Sequence, residues 1–307
     1  MSVLITGAGL LGTYAAREYL GSKESVILYE VAPNYIAIKD ICGEKIKIIK
    51  GDILDIKKLY SIVKKYHPKN IVHTAVIRQT AAQKDPIKAK KINIEGTKNI
   101  IEVASSIDAR IIYPSSASVY GPKIITNKPI QESHKLKPAS IYAKTKVASE
   151  GLVLNYSNSV ILRLPGFFGR YKGKTSTGNE LFKQIIEATI LGQSRVINNP
   201  FKGHIEHIYI KDAASAIFLT SESKNLKNKV FNIGMGRVHT MDEVLLILKK
   251  FNPEANIKLR YIPSSIDIRN QPLDITRAKK ELGYHPQFNL ESGLKDYTKT
   301  LQKWIKN

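Results

Sequence analysis

Apolar and polar positions change period repeatedly along this chain, from the short apolar runs of buried strands to the three-to-four spacing of amphipathic helices. Ser2–Thr6 is a short β-type run, a helical stretch follows from about Leu10 to Gly21, and Val26–Glu30 reads as the next strand. Ile46–Lys50, Ile71–Thr74, Arg110–Ser115 and Val160–Leu164 repeat the strand signal. Helical patterns lie between them at Lys57–Tyr66, Ile87–Ile107 and Pro138–Tyr156. Strands that alternate with helices predict an α/β fold built on a doubly wound parallel sheet. Right-handed crossovers then place helices on both faces and ligand sites at the carboxyl ends of the strands.

After Leu164 the rhythm loosens. The segment Pro165–Gly178 is rich in Gly, Lys and aromatic residues, as the border of an active site often is. Helical signals return at Glu180–Leu191, Met241–Phe251, Thr276–Leu282 and Leu290–Lys303, and Ile205–Ile210 and Val230–Ile233 read as further strands. The expected plan is a dinucleotide-binding domain of residues 1–165 plus about 204–235. A smaller, discontinuous C-terminal substrate lobe takes about 166–203 plus 236–307.

Composition narrows the possibilities. A length of 307 residues and a hydrophobic share of 43% allow a sizeable core. No apolar run approaches the roughly 20 residues of a membrane span. The opening MSVLITGAGLLG enters the strand-and-glycine pattern at once, so no secretory leader is expected. Cys42 has no cysteine to pair with, which fits a reducing, cytoplasmic setting. The seven histidines form no helical pair or His/Cys cluster at ligand spacing, so no metal site is expected. A net charge of +22 invites a nucleic-acid reading. Yet the lysines are spread along the whole chain without an aromatic-interleaved basic stripe or an RNA-binding aromatic motif. A solvated basic surface that draws anionic substrates is the better reading, with a non-catalytic nucleotide- or RNA-binding protein as an alternative.

Thr6-Gly7-Ala8-Gly9-Leu10-Leu11-Gly12 sits after the first strand and opens the first helix. Gly7 permits a tight turn, Gly9 lets the backbone approach a pyrophosphate, and Gly12 lets the helix pack closely. The amide groups opening the helix, at Leu10 and Leu11 among others, then face the phosphates. Glu30 ends the second strand, where a carboxylate holds ribose hydroxyls and repels a 2′-phosphate. No cation follows in Val31-Ala32-Pro33-Asn34, so NAD is favoured over NADP. Asp52, in Gly51-Asp52-Ile53, is placed either to accept from an adenine amino group or to form a turn.

Further along come Ser115-Ser116-Ala117-Ser118, then Tyr142-Ala143-Lys144-Thr145-Lys146, with Asn93 upstream. Tyr142 and Lys146 stand four apart on a helix and share a face. A free phenol titrates near 10. A neighbouring ammonium stabilises the phenolate, and the hydroxyl of Ser116 can donate to the same oxygen or to a substrate. Such a tyrosine removes a hydroxyl proton as hydride leaves the adjacent carbon.

With those motifs the sequence resembles the extended short-chain dehydrogenase/reductase superfamily, particularly its NAD-dependent epimerase/dehydratase branch. The resemblance runs through the glycine turn, Glu30, Gly51-Asp52-Ile53, His73-Thr74-Ala75, Asn93 through Thr97, Ser116, Tyr142/Lys146, Leu162-Arg163, Asn179-Glu180-Leu181, Tyr209 through Asp212, and Asp274 through Pro286. It implies a Rossmann sheet, bound NAD, a homodimer through the helices around Ile87–Ile107 and Pro138–Tyr156, and a nucleotide-sugar substrate. Thr74, Ala75, Asn93, Tyr142, Lys146 and Pro165 join the implied NAD contacts. Ser116, Ala117, Ser118, Tyr142, Asn179 and Arg269 become the implied substrate contacts.

Ala117-Ser118 carries no titratable group, where the 4,6-dehydratases place Asp-Glu, so the favoured chemistry is epimerisation of the UDP-glucose 4-epimerase type. Three departures bear on the substrate. The glycine turn is one residue shorter than the GxxGxxG usual in the superfamily. Gly166 stands where many sugar epimerases have Asn. Ile205 replaces a diphosphate-binding Arg, and the matching C-terminal Arg is missing near Pro263, leaving Arg269 to substitute. An NAD-dependent dehydrogenase or reductase of a smaller alcohol or ketone is the alternative these losses raise.

Overall fold

The computed structural model describes residues 2–22, 24–122, 127–171, 177–198, 202–261, 267–269 and 271–305; the side chains of 177–179, 267–269 and 303–305 are outside the described set. In chain order come β1 (Ser2–Thr6), α1 (Leu10–Gly21), β2 (Ser25–Glu30), α2 (Tyr35–Cys42), β3 (Lys47–Lys50), α3 (Ile56–Tyr66), β4 (Asn70–His73), α4 (Gln79–Lys84) and α5 (Pro86–Lys90). They are followed by α6 (Gly96–Ser105), β5 (Arg110–Ser116), α7 (Ile141–Leu154), β6 (Ser159–Leu164), β7 (Gly166–Phe168), α8 (Thr177–Ile190), β8 (Arg195–Asn198), β9 (Lys202–His204), β10 (His207–Tyr209) and α9 (Ile210–Glu222). The last are β11 (Val230–Asn232), α10 (Met241–Phe251), β12 (Ile257–Arg260), β13 (Asp267–Arg269), α11 (Thr276–Leu282) and α12 (Leu290–Ile305).

Seven strands make one parallel sheet in the order β11-β6-β5-β4-β1-β2-β3. Side chains alternate between its faces, as the pleat requires. Val3 and Ile5 of β1 join one core with α1, α2 and α9, while Leu4 joins a second with α3, α6 and α7. Burial on both faces explains the near-continuous apolar strands that the sequence shows. The strand order reverses between β1 and β4, and the crevice at that reversal is where α/β sheets bind ligands. Three two-stranded parallel ribbons, β7–β10, β8–β12 and β9–β13, belong to the later segments. Among the described residues no helix is long and apolar enough to cross a membrane.

Local chemistry sets the helix ends. Asp55 caps α3 through Lys58 N, and Ser140 caps α7 through Ala143 N, which starts that helix later than the expected Pro138. Thr240 accepts from Glu243 N at the start of α10.

Two expected elements divide. The run Ile87–Ile107 is interrupted by a π-helical turn at Lys91–Glu95 between α5 and α6. There the Asn93 carbonyl accepts from Thr97 Oγ1 at 2.6 Å and from Ser149 Oγ at 2.8 Å, side-chain bonds that compete with regular helical pairing. The run Ile205–Ile210 splits into a single bridge at Ile205, the short β10, and Ile210 as the first residue of α9. Helix α9 has no simple stripe because Ile210, Ala213, Ala214, Ala216, Ile217 and Thr220 are all buried.

Helix α1 lies close enough to β1 and β4 that a Cβ at Gly12 would collide with the Gly7 carbonyl oxygen and come within 2.6 Å of Thr74 Oγ1. Gly12→Ala is therefore expected to lower the unfolding free energy by about 1–3 kcal/mol in urea denaturation. An unchanged midpoint would show that the helix can slide away at little cost.

Candidate functional site

The turn after β1 is built for a close approach. Gly7 has φ +88° and Gly9 is extended at the N-cap of α1 with no side-chain cap. A Cβ on Gly9 would meet nothing within 4 Å, so the space beside the opening amides of α1 is clear. Leu10 and Leu11 turn their side chains into the core, leaving only their backbone at the turn. Thr74 latches the end of β4 to this turn, its hydroxyl lying 2.8 Å from Thr6 O and 2.7 Å from Gly7 O. Ala75 follows against Gly7, where an added Cβ would lie 2.5 Å from Ala75 N.

Glu30 reaches across the mouth of the turn, accepting from Ala8 N at 2.8 Å and from Ala32 N at 3.0 Å. Each carboxylate oxygen keeps acceptor capacity for a further hydroxyl. Asp52 behaves as a turn former: its Oδ1 accepts from Leu54 N at 2.9 Å. Ile53 is buried against Gly96 and its carbonyl takes Asn99 Nδ2 at 2.9 Å. Asn93 spends its side-chain amide on protein. Its Oδ1 accepts from Ile77 N at 2.8 Å, and its Nδ2 donates to Ile77 O at 3.0 Å and Thr145 Oγ1 at 2.9 Å. Pro165 is buried between β6 and β7.

At the end of β5, Ser116 Oγ accepts from Ser118 N at 3.2 Å and Ser118 Oγ at 2.9 Å. The phenol of half-buried Tyr142, in the first turn of α7, lies close enough to Ser116 for the serine hydroxyl to favour its ionised form. Ala117 and Ser118 line the short turn beside them. Lys146, 3% exposed, donates to Pro114 O at 2.7 Å, and its ammonium lies 4.3 Å from the centre of the Tyr113 ring.

The electrostatics differ from the expectation that Lys146 depresses the Tyr142 phenol. Burial holds that phenol above its ordinary value of 10, against the Ser116 hydroxyl and the positive charge of Arg78. Burial also pulls Lys146 down to about 7, with Glu150 opposing the fall. Arg78, on the loop between β4 and α4, is the residue that the motifs missed. Its charge acts on Tyr142 and Tyr171, and burial draws it below its ordinary range. Its signal was positional: a cation just past the strand end that borders the sheet reversal.

In the later segments, Ile205 is paired by backbone with His239 in both directions and brings no cation. Gly166 faces His207, whose Cδ2 would lie 2.8 Å from a Cβ there. His207 Nδ1 is 3.1 Å from His239 Nε2, and both rings pack on Phe182. Burial lowers both imidazoles, His239 to about 4 and His207 well below 6.5, so this pair is neutral at pH 7. Asn179 lies in the first turn of α8 and Arg269 ends β13, but their side chains lie outside the described set. Among the described residues no group of three or more His, Cys, Asp or Glu is placed to hold a metal ion.

Known proteins resemble this chain along nearly its whole length. A UDP-glucuronate 4-epimerase of Arabidopsis thaliana is 27% identical over 97% of this chain and 75% of its own length. A putative UDP-glucose 4-epimerase of Methanocaldococcus jannaschii is 27% identical over 99% of this chain and 98% of its own. The structure superposes on UDP-glucose-4-epimerase from Stenotrophomonas maltophila, crystallised with NAD, with a TM-score of 0.88. That alignment has 21% identity over 100% of this chain and 99% of the other, a likeness of fold. The family model for the NAD dependent epimerase/dehydratase family matches residues 3–234, and with the glycine turn, the seven-stranded parallel sheet and the Ser116–Tyr142 pair in place, the chain belongs to that family.

Proposed function

We propose that this protein is an NAD-dependent nucleotide-sugar epimerase of the UDP-glucose 4-epimerase type, working through transient oxidation to a keto-sugar. The observation that carries the reading is the Ser116–Tyr142 pair at the carboxyl end of β5, two strands from the open glycine turn. In this reading residues 1–165 with about 204–235 hold NAD, and about 166–203 with 236–307 grip the sugar nucleotide.

The turn suits a dinucleotide because nothing fills the space beside Gly9 and the amides of Leu10, Leu11 and Gly12 open a helix toward it. Glu30 is the ribose ligand, Asp52 and Ile53 border the adenine, and Thr74, Ala75, Asn93, Tyr142, Lys146 and Pro165 surround the nicotinamide end. Bound there, NAD supplies a hydride acceptor that gives the hydride back, so epimerisation leaves no net redox change. Tyr142 takes the sugar hydroxyl proton at its phenolic oxygen and returns it after the keto-sugar has turned over. Ser116 orients the reacting oxygen. Arg78 supplies positive charge that favours ionisation of the Tyr142 phenol, and the Lys146 ammonium, held at Pro114 O one turn along α7, adds to the field of the site. Ala117-Ser118 brings no second acid or base, which favours epimerisation over loss of water.

The reading includes a homodimer through α7 and the helical segment of α5 and α6, where Ile87 is 81% and Leu154 40% exposed. A second reading, net oxidation or reduction of a smaller alcohol or ketone, is favoured by Ile205, which brings no cation for a diphosphate.

Incubation with UDP-glucose and with UDP-glucuronate at high enzyme concentration is expected to yield the 4-epimer without accumulating NADH. NADH formed one-for-one with product would select the dehydrogenase instead. Tyr142→Phe is expected to slow turnover roughly 10²–10⁴-fold with NAD binding intact; wild-type turnover would remove the tyrosine from the mechanism. Gly9→Ala should melt like the wild type, since its Cβ meets nothing. Its NAD affinity in calorimetric titration should nevertheless fall at least about tenfold, or about 1.4 kcal/mol. Equal affinity would place the cofactor elsewhere.

A further inference from the structure

One turn beyond Lys146 on α7, Glu150 is buried behind the site. Its Oε1 accepts from Ser115 Oγ at 2.5 Å and Arg163 Nε at 3.1 Å, and its Oε2 accepts from Arg163 Nη2 at 2.7 Å. Arg163 Nη1 donates to Tyr120 Oη at 3.0 Å and to Glu132 O at 2.9 Å. Tyr120 Oη donates in turn to Asn232 Oδ1 at 2.6 Å. The carboxylate is thus wired to β5, β6, the turn after Ser116, and β11. A buried ion pair is a poor device for stability alone, because apolar residues of equal volume often serve as well or better.

The geometry matters more than the charge count. Lys146 donates to Pro114 O and Ser115 donates to Glu150, so two consecutive residues of β5 are each tied to α7. Those residues come directly before Ser116, and positions 142, 146 and 150 follow one another along a single face of the helix. The two bonds therefore set how Tyr142 meets Ser116.

We propose that Glu150 is a positioning residue for the reaction centred on Tyr142, acting through Ser115 and Lys146. This rests on the functional reading above. Lys146 faces Glu150 and Tyr142 on its own helix, the Tyr113 ring of β5, and His73 of β4, which burial keeps neutral with a pKa of about 3. Arg163 of β6 is the cation on the far side of Glu150. Glu150 is the one anion in that set, and it partly offsets the burial, which still draws Lys146 down to about 7.

The test is Glu150→Gln, which keeps an acceptor for Ser115 and removes the charge. With ¹³C-labelled lysine, the Lys146 resonance (assigned through Lys146→Met) should titrate near pH 7 in the wild type. Its midpoint should fall by at least one pH unit in the variant. In the holoenzyme the alkaline limb of kcat should move the same way, with kcat at pH 8 down at least tenfold and KM changed less than threefold. Glu150→Asp should restore the limb while leaving kcat reduced. Should Glu150→Gln not fold, Glu150→Gln/Arg163→Met removes both buried charges and should shift the lysine midpoint in the same direction. Ser115→Ala should lower kcat several-fold with the limb unmoved.

Movement of the lysine midpoint supports the proposal even where no nucleotide sugar turns over, a failure that would fall on the functional reading alone. A folded variant with lowered thermal stability, but with its lysine midpoint and pH–rate limb unmoved, overturns it.

Discussion

Everything at this site hangs on the reversal of strand order between β1 and β4. Right-handed crossovers carry the chain away from that point in both directions, toward β3 on one side and β11 on the other. The glycine turn follows β1, the Thr74 latch and Arg78 follow β4, and Ser116 ends β5, so three successive strands deliver their tips to one crevice. The chemistry is distant in sequence and adjacent in space because the sheet is parallel.

Much of this was legible from periodicity. The six strands from Ser2 to Leu164 and the pairing of Gly9 with the start of α1 follow from short apolar runs punctuated by glycine. Helix α9 was not legible, because a helix packed tightly on α1 and buried over most of its surface carries small apolar residues and no stripe. The ribbon strands β7, β9 and β13 are three residues long, too short for any period to appear.

In the site, residue types could be read but orientations could not. Tyr142 and Lys146 share a helix face as their spacing requires. The ammonium nevertheless goes to the Pro114 carbonyl of β5. Asn93 shows the same limit: an amide with three bonding positions taken by Ile77 and Thr145 ties the loop after β4 to helix α7, which no motif announces. Arg78 had no pattern at all, and only the sheet topology brings it to Tyr142. Around β7, Gly166 and His207 fit one another, for the ring of His207 occupies the room that a larger residue at 166 would need.

The backbone of Ala8 shows how the glycine turn is held. Its N–H is given to Glu30, and its carbonyl oxygen receives both Thr13 Oγ1 at 3.0 Å and Tyr171 Oη at 2.8 Å. Tyr171 comes from the segment after β7, so a distant part of the chain braces the tightest bend in the molecule. The loop has no conformational search left to perform, and the entropy of ordering it belongs to folding and not to ligand capture. An anion arriving at α1 meets a rigid mould, and the affinity it gains is undiminished by the cost of shaping one.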